Sequence, residues 1–417
     1  MHDWSPDELE EAAALAGTTP CFLYDEALLR EQVRRVHEFP APYGLAPRYA
    51  MKACPTRAIL GILREAGFGI DASSGYEVER AVRAGFPPSA ISLSSQEFPA
   101  DFAEWVRRGL RVNACSLRQL DRYGEAFPGS SVGLRFNPGV GSGGTAKTNV
   151  GGPSSSFGIW HEKVPEVREL LARHALTVER IHTHIGSGSD PRVWQKVAHL
   201  NLHLVAAFPE VHTLNLGGGY KIARTGEETA TDLLRIGEPV AAALREFARE
   251  TGRELRLEIE PGTFLVGNAG TLLARVHDIV DTGDDGYRFL KLDAGMTEIL
   301  RPSLYAAQHP IRLVPRAGGR PGELRPLVVV GHCCESGDLL TPAPDDPEAL
   351  APRLLPEPEP GDWCLLGGAG AYSASMSAKN YNSFPEAAEL LYTTDSRWRL
   401  IRRRQTLDEM LAAEVVS

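Results

Sequence analysis

The six cysteines of this 417-residue chain never form a C-x-x-C pair; they are scattered at positions 21, 54, 115, 333, 334 and 364. With no small secreted frame to staple, this argues against a disulfide scaffold or a structural zinc site. No apolar run reaches the roughly 18 residues of a membrane span. The opening MHDWSPDELEEAAALAG is acidic and amphipathic and lacks the apolar centre of a signal peptide. A cytoplasmic protein with no membrane contact is expected. An excess of positive charge is missing too. The 44 Lys plus Arg against 54 Asp plus Glu leave a net charge of −10, which argues against nucleic acid as a partner. The local cluster RWRLIRRRQ (397–405) reads as a solvated helix face or a dimer contact.

A hydrophobic content of 43% with 24% charged residues is that of an ordinary globular protein, and the length exceeds a single core. From residue 45 onward, strand-like segments alternate with helical ones. The strands are LAPRYAMK (45–52), FGIDAS (68–73), AISLSS (90–95), LRVNAC (110–115), SVGLRFN (131–137), VERIHTHI (178–185), VHTLNLG (211–217) and LRLEIE (255–260). Stretches such as SGYEVERAVRAG and VPEVRELLARHA between them space apolar residues by three and four. Eight such repeats predict a closed α/β barrel of the (β/α)8 type. After Glu260 the texture changes to short alternating segments separated by turns, which predicts a mostly antiparallel β domain. The expected boundaries are 28–268 for the barrel, with 1–27 and 269–417 for the β domain; GTTPCFLYDE near the start joins the latter. The Pro-rich TPAPDDPEALAPRLLPEPEPGD reads as a surface excursion. The Gly/Ser-rich loop after the fifth strand, about residues 138–156, is long enough to suggest a loop beside a site.

The strand ends of a βα barrel are where chemistry sits, and four unusual features fall there. Lys52 closes the first strand after the run Tyr49, Ala50, Met51, so its ammonium is expected among neutral groups. A buried amine loses its proton more easily and becomes a better nucleophile; a lysine that snorkels to water is the plain alternative. His184 closes the sixth strand, Gly217, Gly218 and Gly219 follow the seventh, and Glu260 closes the eighth. Glycines admit backbone N–H groups close to a phosphate, and Ser187 and Ser189 could add hydroxyl donors. His182 and His184 share a face of their strand, so a metal pair is a second reading. A nucleophilic lysine, a phosphate cradle, a flat imidazole and a carboxylate together match the needs of pyridoxal 5'-phosphate.

On these motifs the chain resembles the fold type III pyridoxal-phosphate decarboxylases, in particular those acting on diaminopimelate. YAMKA, HTHIGSGS, LNLGGGY, EIEPG, DAGMTEILRPSLYAAQ, HCCESGDLL and GGAGAYSASMSAKNYNSFP carry the resemblance along nearly the whole chain. It implies an alanine racemase-like barrel and removal of an amino acid's α-carboxylate, with meso-diaminopimelate giving L-lysine as the expected reaction. Another substrate, N-acylated or tethered to a carrier protein, and a catalytically silent homologue are the alternatives. By the same resemblance Lys52 is the Schiff-base lysine, His184 the ring stacker and Glu260 the pyridine-nitrogen partner. Ser187, Gly218, Gly219 and Tyr372 contact the phosphate, Cys334 protonates the carbanion, Arg301 and Tyr305 hold the distal carboxylate, and Glu335 meets the distal amine. A homodimer is implied, with Cys334 and Glu335 entering the partner's site. Two departures bear on the substrate: Thr263 stands where the family's EPGR has arginine, and Phe384 and Glu386 stand where YNGRPRPAE has arginines. Losing a fork-shaped cation matters where a carboxylate must be gripped.

Overall fold

Each apolar segment expected between residues 45 and 260 becomes a strand in the computed structural model, which describes residues 2–141, 151–184, 188, 190–316 and 318–415. The first strand of the chain, β1 (Cys21–Asp25), belongs to a separate sheet. The barrel follows with β2 (Leu45–Ala50), β3 (Gly69–Ala72), β4 (Ile91–Leu93), β5 (Arg111–Ala114) and β6 (Ser131–Asn137), then the short β7 (Ile159–Trp160) beside β6, then β8 (Thr177–Thr183), β9 (Thr213–Asn215) and β10 (Arg256–Ile259). Neighbouring strands run parallel; β10 pairs with β2, and β5 pairs with β6. These pairings close the (β/α)8 barrel.

The crossover helices start where the sequence supplies caps. Ser74 accepts from the Glu77 N–H to begin Gly75–Arg83, Ser116 from Gln119 to begin Leu117–Ala126, and Asp232 from Leu234 and Arg235 to begin Leu233–Thr251. Their apolar stripes face inward, Val78 and Ala81 on the first and Ile236, Val240, Leu244 and Phe247 on the last.

The barrel interior carries a charged layer. Glu258 of β10 lies 2.8 Å from Arg48 Nη2 of β2 and 3.0 Å from Arg180 Nε of β8, all three side chains out of water. Buried charges persist only when paired and hydrogen-bonded. Here Asn215 also donates to Glu258 Oε2 at 3.2 Å, and Arg180 Nη1 donates to Asn113 Oδ1 at 3.4 Å.

The chain forms two compact units by its internal contacts. One is Gln32–Lys221 with Thr229–Phe264; the other is Met1–Glu31, Ile222–Glu228 and Leu265–Ser417. The second unit is a curled, mostly antiparallel sheet whose long central strand, β11 (Gly270–Asp281), pairs with β1, with β12 (Arg288–Leu292) and, beyond β13 (Ile311–Val314), β14 (Leu324–Val330), β15 (Pro342–Ala343), β16 (Asp346–Leu350) and β17 (Arg353–Pro356), with β18 (Trp363–Leu366). Two further strands, β19 (Ala388–Tyr392) and β20 (Trp398–Arg402), complete the order β17-β14-β12-β11-β1-β19-β20. The segment GTTPCFLYDE joins this sheet as β1, fully buried between β11 and β19. Trp4, Leu9, Leu23, Leu273, Trp363, Leu390 and Trp398 form its core.

Two sequence expectations are corrected. The Pro-rich piece after residue 341 is not an excursion: it holds β15, β16 and β17, and β17 pairs with β14. Pro356 is tolerated because β17 is an outer strand, and Pro342 and Pro347 lie in the separate two-stranded β15–β16 sheet, where both strands are edges. The basic cluster near the C-terminus is strand, not helix: β20 pairs with β19, and Arg402 is neutralised by Glu386 and by Glu389, the latter at 3.1 Å.

The buried Glu258 charge sets a testable cost. Arg180→Ala removes one of its two close cations and is expected to lower the barrel's unfolding free energy by about 3–5 kcal/mol in denaturant titrations. A change below about 1 kcal/mol would show that the remaining partners, Arg48, Arg111 and Asn215, satisfy Glu258 without it.

Candidate active site

Lys52 sits just past β2 on the one-turn 3-10 helix Met51–Ala53. Its Nζ lies 3.4 Å from Ser73 Oγ and 3.8 Å from Asp71 Oδ2, and the side chain is 43% exposed. The amine is therefore not buried as expected: it stands at a mouth open to water, with a carboxyl group from β3 beside it. The turn is held from below by the Glu260 segment. The Ala50 N–H donates to Pro261 O at 3.3 Å, and Gly262 is so close that a Cβ there would stand 3.3 Å from Ala50 and Ala53 Cβ.

Glu260 lies one residue beyond β10 and is 4% exposed. Asn215 Nδ2 donates to its Oε1 at 2.7 Å, and His182 Nε2 lies 3.2 Å from its Oε2. His184 follows β8, half-buried, and its Nδ1 accepts from the Gly218 N–H at 3.1 Å. That bond places the imidazole proton on Nε2. The glycine run is tied to the same groups. Gly217 has φ +70° and a Cβ there would meet His184 Nδ1 at 2.7 Å; at Gly218 it would meet Glu260 O at 2.3 Å. Only glycine lets this loop lie against both residues. Gly219 has φ +105°, and its N–H donates to no described residue. Ser187, Ser189 and the loop residues 142–150 lie outside the described residues.

The electrostatics separate the carboxyls. Burial, reinforced by Glu260 and opposed by Lys52, pushes the Asp71 carboxyl well above the usual range. Burial also opposes ionisation of Glu260, yet His182, His184 and Lys52 outweigh it and hold that carboxyl low. Burial, with Arg135 and Lys52 nearby, lowers the His184 pKa well below that of free histidine, so the ring is neutral. The rim thus holds one ionised carboxylate, one neutral imidazole and one amine.

In the second unit, Cys334 is exposed and its N–H donates to Asn382 Oδ1 at 2.9 Å. Glu335 Oε1 accepts from Gly337, and Asp338 accepts from the N–H groups of Met296 at 2.6 Å and Cys333 at 2.8 Å. Asp338 thus joins the DAGM and CESGD segments into one structure. Arg301 begins the short helix Arg301–Tyr305, half-buried, with its guanidinium 5.7 Å from the Tyr305 ring. Tyr372 has φ +54° and lies within electrostatic range of Arg301. At the departures from the family, Phe384 stacks on His332 with centroids 3.6 Å apart, and Glu386 pairs with Lys379 at 2.7 Å and with Arg402. Thr263 opens the helix Thr263–Val266 of the barrel segment.

Sequence reading brought Lys52, His184, Gly218, Gly219 and Glu260 to one rim, where the structure places them. It missed Asp71, Arg135 and Asn215. The signal available for Asp71 was a single carboxylate between Ile70 and Ala72 in an otherwise apolar strand. His182, weighed as a metal ligand, is instead set against Glu260, with Ser94 Oγ 3.4 Å from its Nδ1. Among the described residues no group of histidine, cysteine and carboxylate ligands is arranged to hold a metal, and no helix is long and apolar enough to cross a membrane.

Residues 26–267 match the family model described as the pyridoxal-binding domain of pyridoxal-dependent decarboxylases, and the chain belongs to that family. Along its whole length it is similar to diaminopimelate decarboxylases. That of Streptomyces coelicolor is 38% identical, with 97% of this chain and 91% of the relative covered; that of Escherichia coli is 37% identical, covering 95% and 94%. Among solved structures, a diaminopimelate decarboxylase superposes with a TM-score of 0.87 at 36% identity, covering 94% of this chain and 93% of its own. The Helicobacter pylori enzyme complexed with L-lysine gives 0.83 at 28% identity, covering 98% of both chains.

The rim fits pyridoxal phosphate on its own geometry: a solvent-reached amine, a buried ionised carboxylate, a neutral ring and a glycine loop whose Gly219 N–H has no described acceptor. Gly218→Ala is expected to leave the fold intact by circular dichroism and to strip the protein of pyridoxal phosphate on dialysis, because its Cβ would part the loop from Glu260. Retention of the full complement of cofactor would contradict the cradle.

The second unit makes a separate prediction. Burial raises the Glu298 carboxyl to about 7, opposed by hydrogen bonds from Gly295 and Thr297. Between the ordinary carboxyl value and about 7, the native state keeps a proton that the unfolded chain has lost, so stability falls as pH rises across that window. Glu298→Gln is expected to remove this fall, gaining up to about 3 kcal/mol on the wild type between pH 5 and pH 8. Parallel stability–pH curves for the two proteins would contradict it.

Proposed function

We propose that the protein is a pyridoxal-phosphate-dependent decarboxylase that removes one α-carboxylate of meso-diaminopimelate to give L-lysine. The convergence of Lys52, His184, Glu260 and the glycine loop on one barrel rim carries this reading. The named activity of its relatives and the lysine held by a solved relative support the substrate.

When bound, pyridoxal phosphate supplies a ring that accepts the electron pair left as carbon dioxide departs. The chain's own groups do the rest. Lys52 Nζ is the amine that would hold the group by its aldehyde carbon, with Asp71 beside it. Glu260, held ionised by His182 and Asn215, keeps a proton on the pyridine nitrogen. The neutral His184 presents a flat face to the ring without adding a positive charge that would compete with that proton. Gly218, Gly219, Ser187 and Tyr372 are the residues that would hold the phosphate. Arg301 and Tyr305 hold the distal carboxylate, Glu335 meets the distal amine, and Thr263 lines the substrate side. Cys334 Sγ returns a proton to the α-carbon; Cys334 and Glu335 act in the site of a partner subunit, so the working form is a homodimer.

A second reading keeps the reaction and changes the amino acid. Phe384, stacked on His332, and Glu386, paired with Lys379 and Arg402, offer no cation at positions where the family has arginines. A coupled assay for L-lysine across an amino-acid panel separates the two. Turnover of meso-diaminopimelate at least about tenfold faster than any other amino acid is the expected result; a faster alternative substrate would install the second reading.

Lys52→Ala is expected to abolish both borohydride-fixed cofactor labelling and carbon dioxide release. Glu260→Gln should keep the label and lose roughly 10²–10⁴-fold in kcat. Unchanged gas evolution in either variant would overturn the assignment of roles.

A further inference from the structure

Residues 222–228 leave the glycine loop in sequence but pack with the second unit, and they place a guanidinium that no part of the mechanism above uses. Asn268 Nδ2 donates to Ala223 O at 2.9 Å, the Arg224 N–H donates to Glu228 Oε2 at 2.6 Å, and Arg224 Nε donates to Gly368 O at 3.2 Å. Gly368 has φ +65°, and a Cβ there would meet Arg224 Cγ at 2.7 Å, so the stem fits only against glycine. The preceding carbonyl, Gly367 O, accepts from His309 Nδ1 at 2.8 Å. Two consecutive carbonyls therefore hold an arginine and a histidine side by side, four residues before Tyr372.

These anchored groups are short of partners. Arg224 Nη2, Arg301 Nε, Ser303 Oγ and His309 Nε2 are out of contact with water and bond to no described residue. Arg224 and Arg301 lie within electrostatic range of each other, and among the described residues no carboxylate forms an ion pair with either. Glu228, the acidic group acting on both, is exposed and engaged by the Arg224 N–H. Burial and the neighbouring Arg301 lower the Arg224 pKa to about 9. Like charges held together out of water destabilise the fold unless a counter-charge arrives.

We propose that Arg224 is a second guanidinium of the distal-carboxylate grip, acting with Arg301 on the substrate's far carboxylate. The inference rests on the dicarboxylic substrate proposed above.

The test uses the cofactor-loaded enzyme, its Arg224→Gln and Arg224→Lys variants, steady-state kinetics with meso-diaminopimelate and calorimetry with pimelate, a dicarboxylate that cannot react. In Arg224→Gln, KM and the pimelate Kd are expected to rise together by about 10- to 100-fold while kcat and bound pyridoxal phosphate stay near wild type. Arg224→Lys should show a smaller rise in both, because a point charge replaces the fork. If Arg224→Gln does not fold, the lysine variant decides alone. Unchanged KM and Kd, or a loss of cofactor in place of a loss of dicarboxylate affinity, overturns the inference. A wild type that neither decarboxylates diaminopimelate nor binds pimelate overturns the substrate reading first, and the inference falls with it.

Discussion

A carboxylate kept ionised out of water is the constraint on which the barrel site depends. Glu260 is almost fully buried, and burial alone would protonate it. Its charge survives because Asn215 donates to one oxygen and His182 approaches the other, while the amine of Lys52 stands near enough to favour it. Each of those partners is fixed in turn. Asn215 also accepts from Gly217, His184 accepts from Gly218, and the Glu260 carbonyl lies where a Gly218 side chain would be. The strand ends carrying these residues are locked into one register, so the glycine loop, the imidazole and the carboxylate cannot be displaced separately.

The same logic runs one layer deeper. Glu258, two residues before Glu260 on β10, faces the barrel interior with Arg48 and Arg180. Asn215 bonds to both carboxylates, so the structural ion network and the chemical one share a side chain. An apolar barrel core would pack as well, but it would leave Glu260 without the hydrogen-bonded neighbour that holds it in place. In the second unit, Asp338 plays the comparable part: by accepting from Met296 and Cys333 it sets the turn that carries Cys334 and Glu335.

Much of this was legible in the sequence because strand ends in a βα barrel are marked. Lys52, His184, the glycine run and Glu260 each break an apolar pattern at its C-terminal end, so periodicity both built the barrel and pointed to its rim. Asp71, Arg135 and Asn215 were not legible, since one polar residue inside a short strand looks the same whether it is a satisfied core group or part of a site. Arg224 escaped for another reason: the carbonyl that fixes its guanidinium, Gly368 O, lies 144 residues away in the chain. The outer strands β17 and β20 were misread because proline and clustered charge mark edge strands and loops alike.

The most direct measurement of the central claim is the charge of Glu260 itself. Isotope-edited infrared spectra of the cofactor-loaded enzyme, with 13C-carboxyl glutamate and the Glu260→Gln variant as the subtraction, would isolate that group's band between pH 5 and pH 9. The account predicts a carboxylate band throughout. A protonated-acid band anywhere in that interval would contradict it.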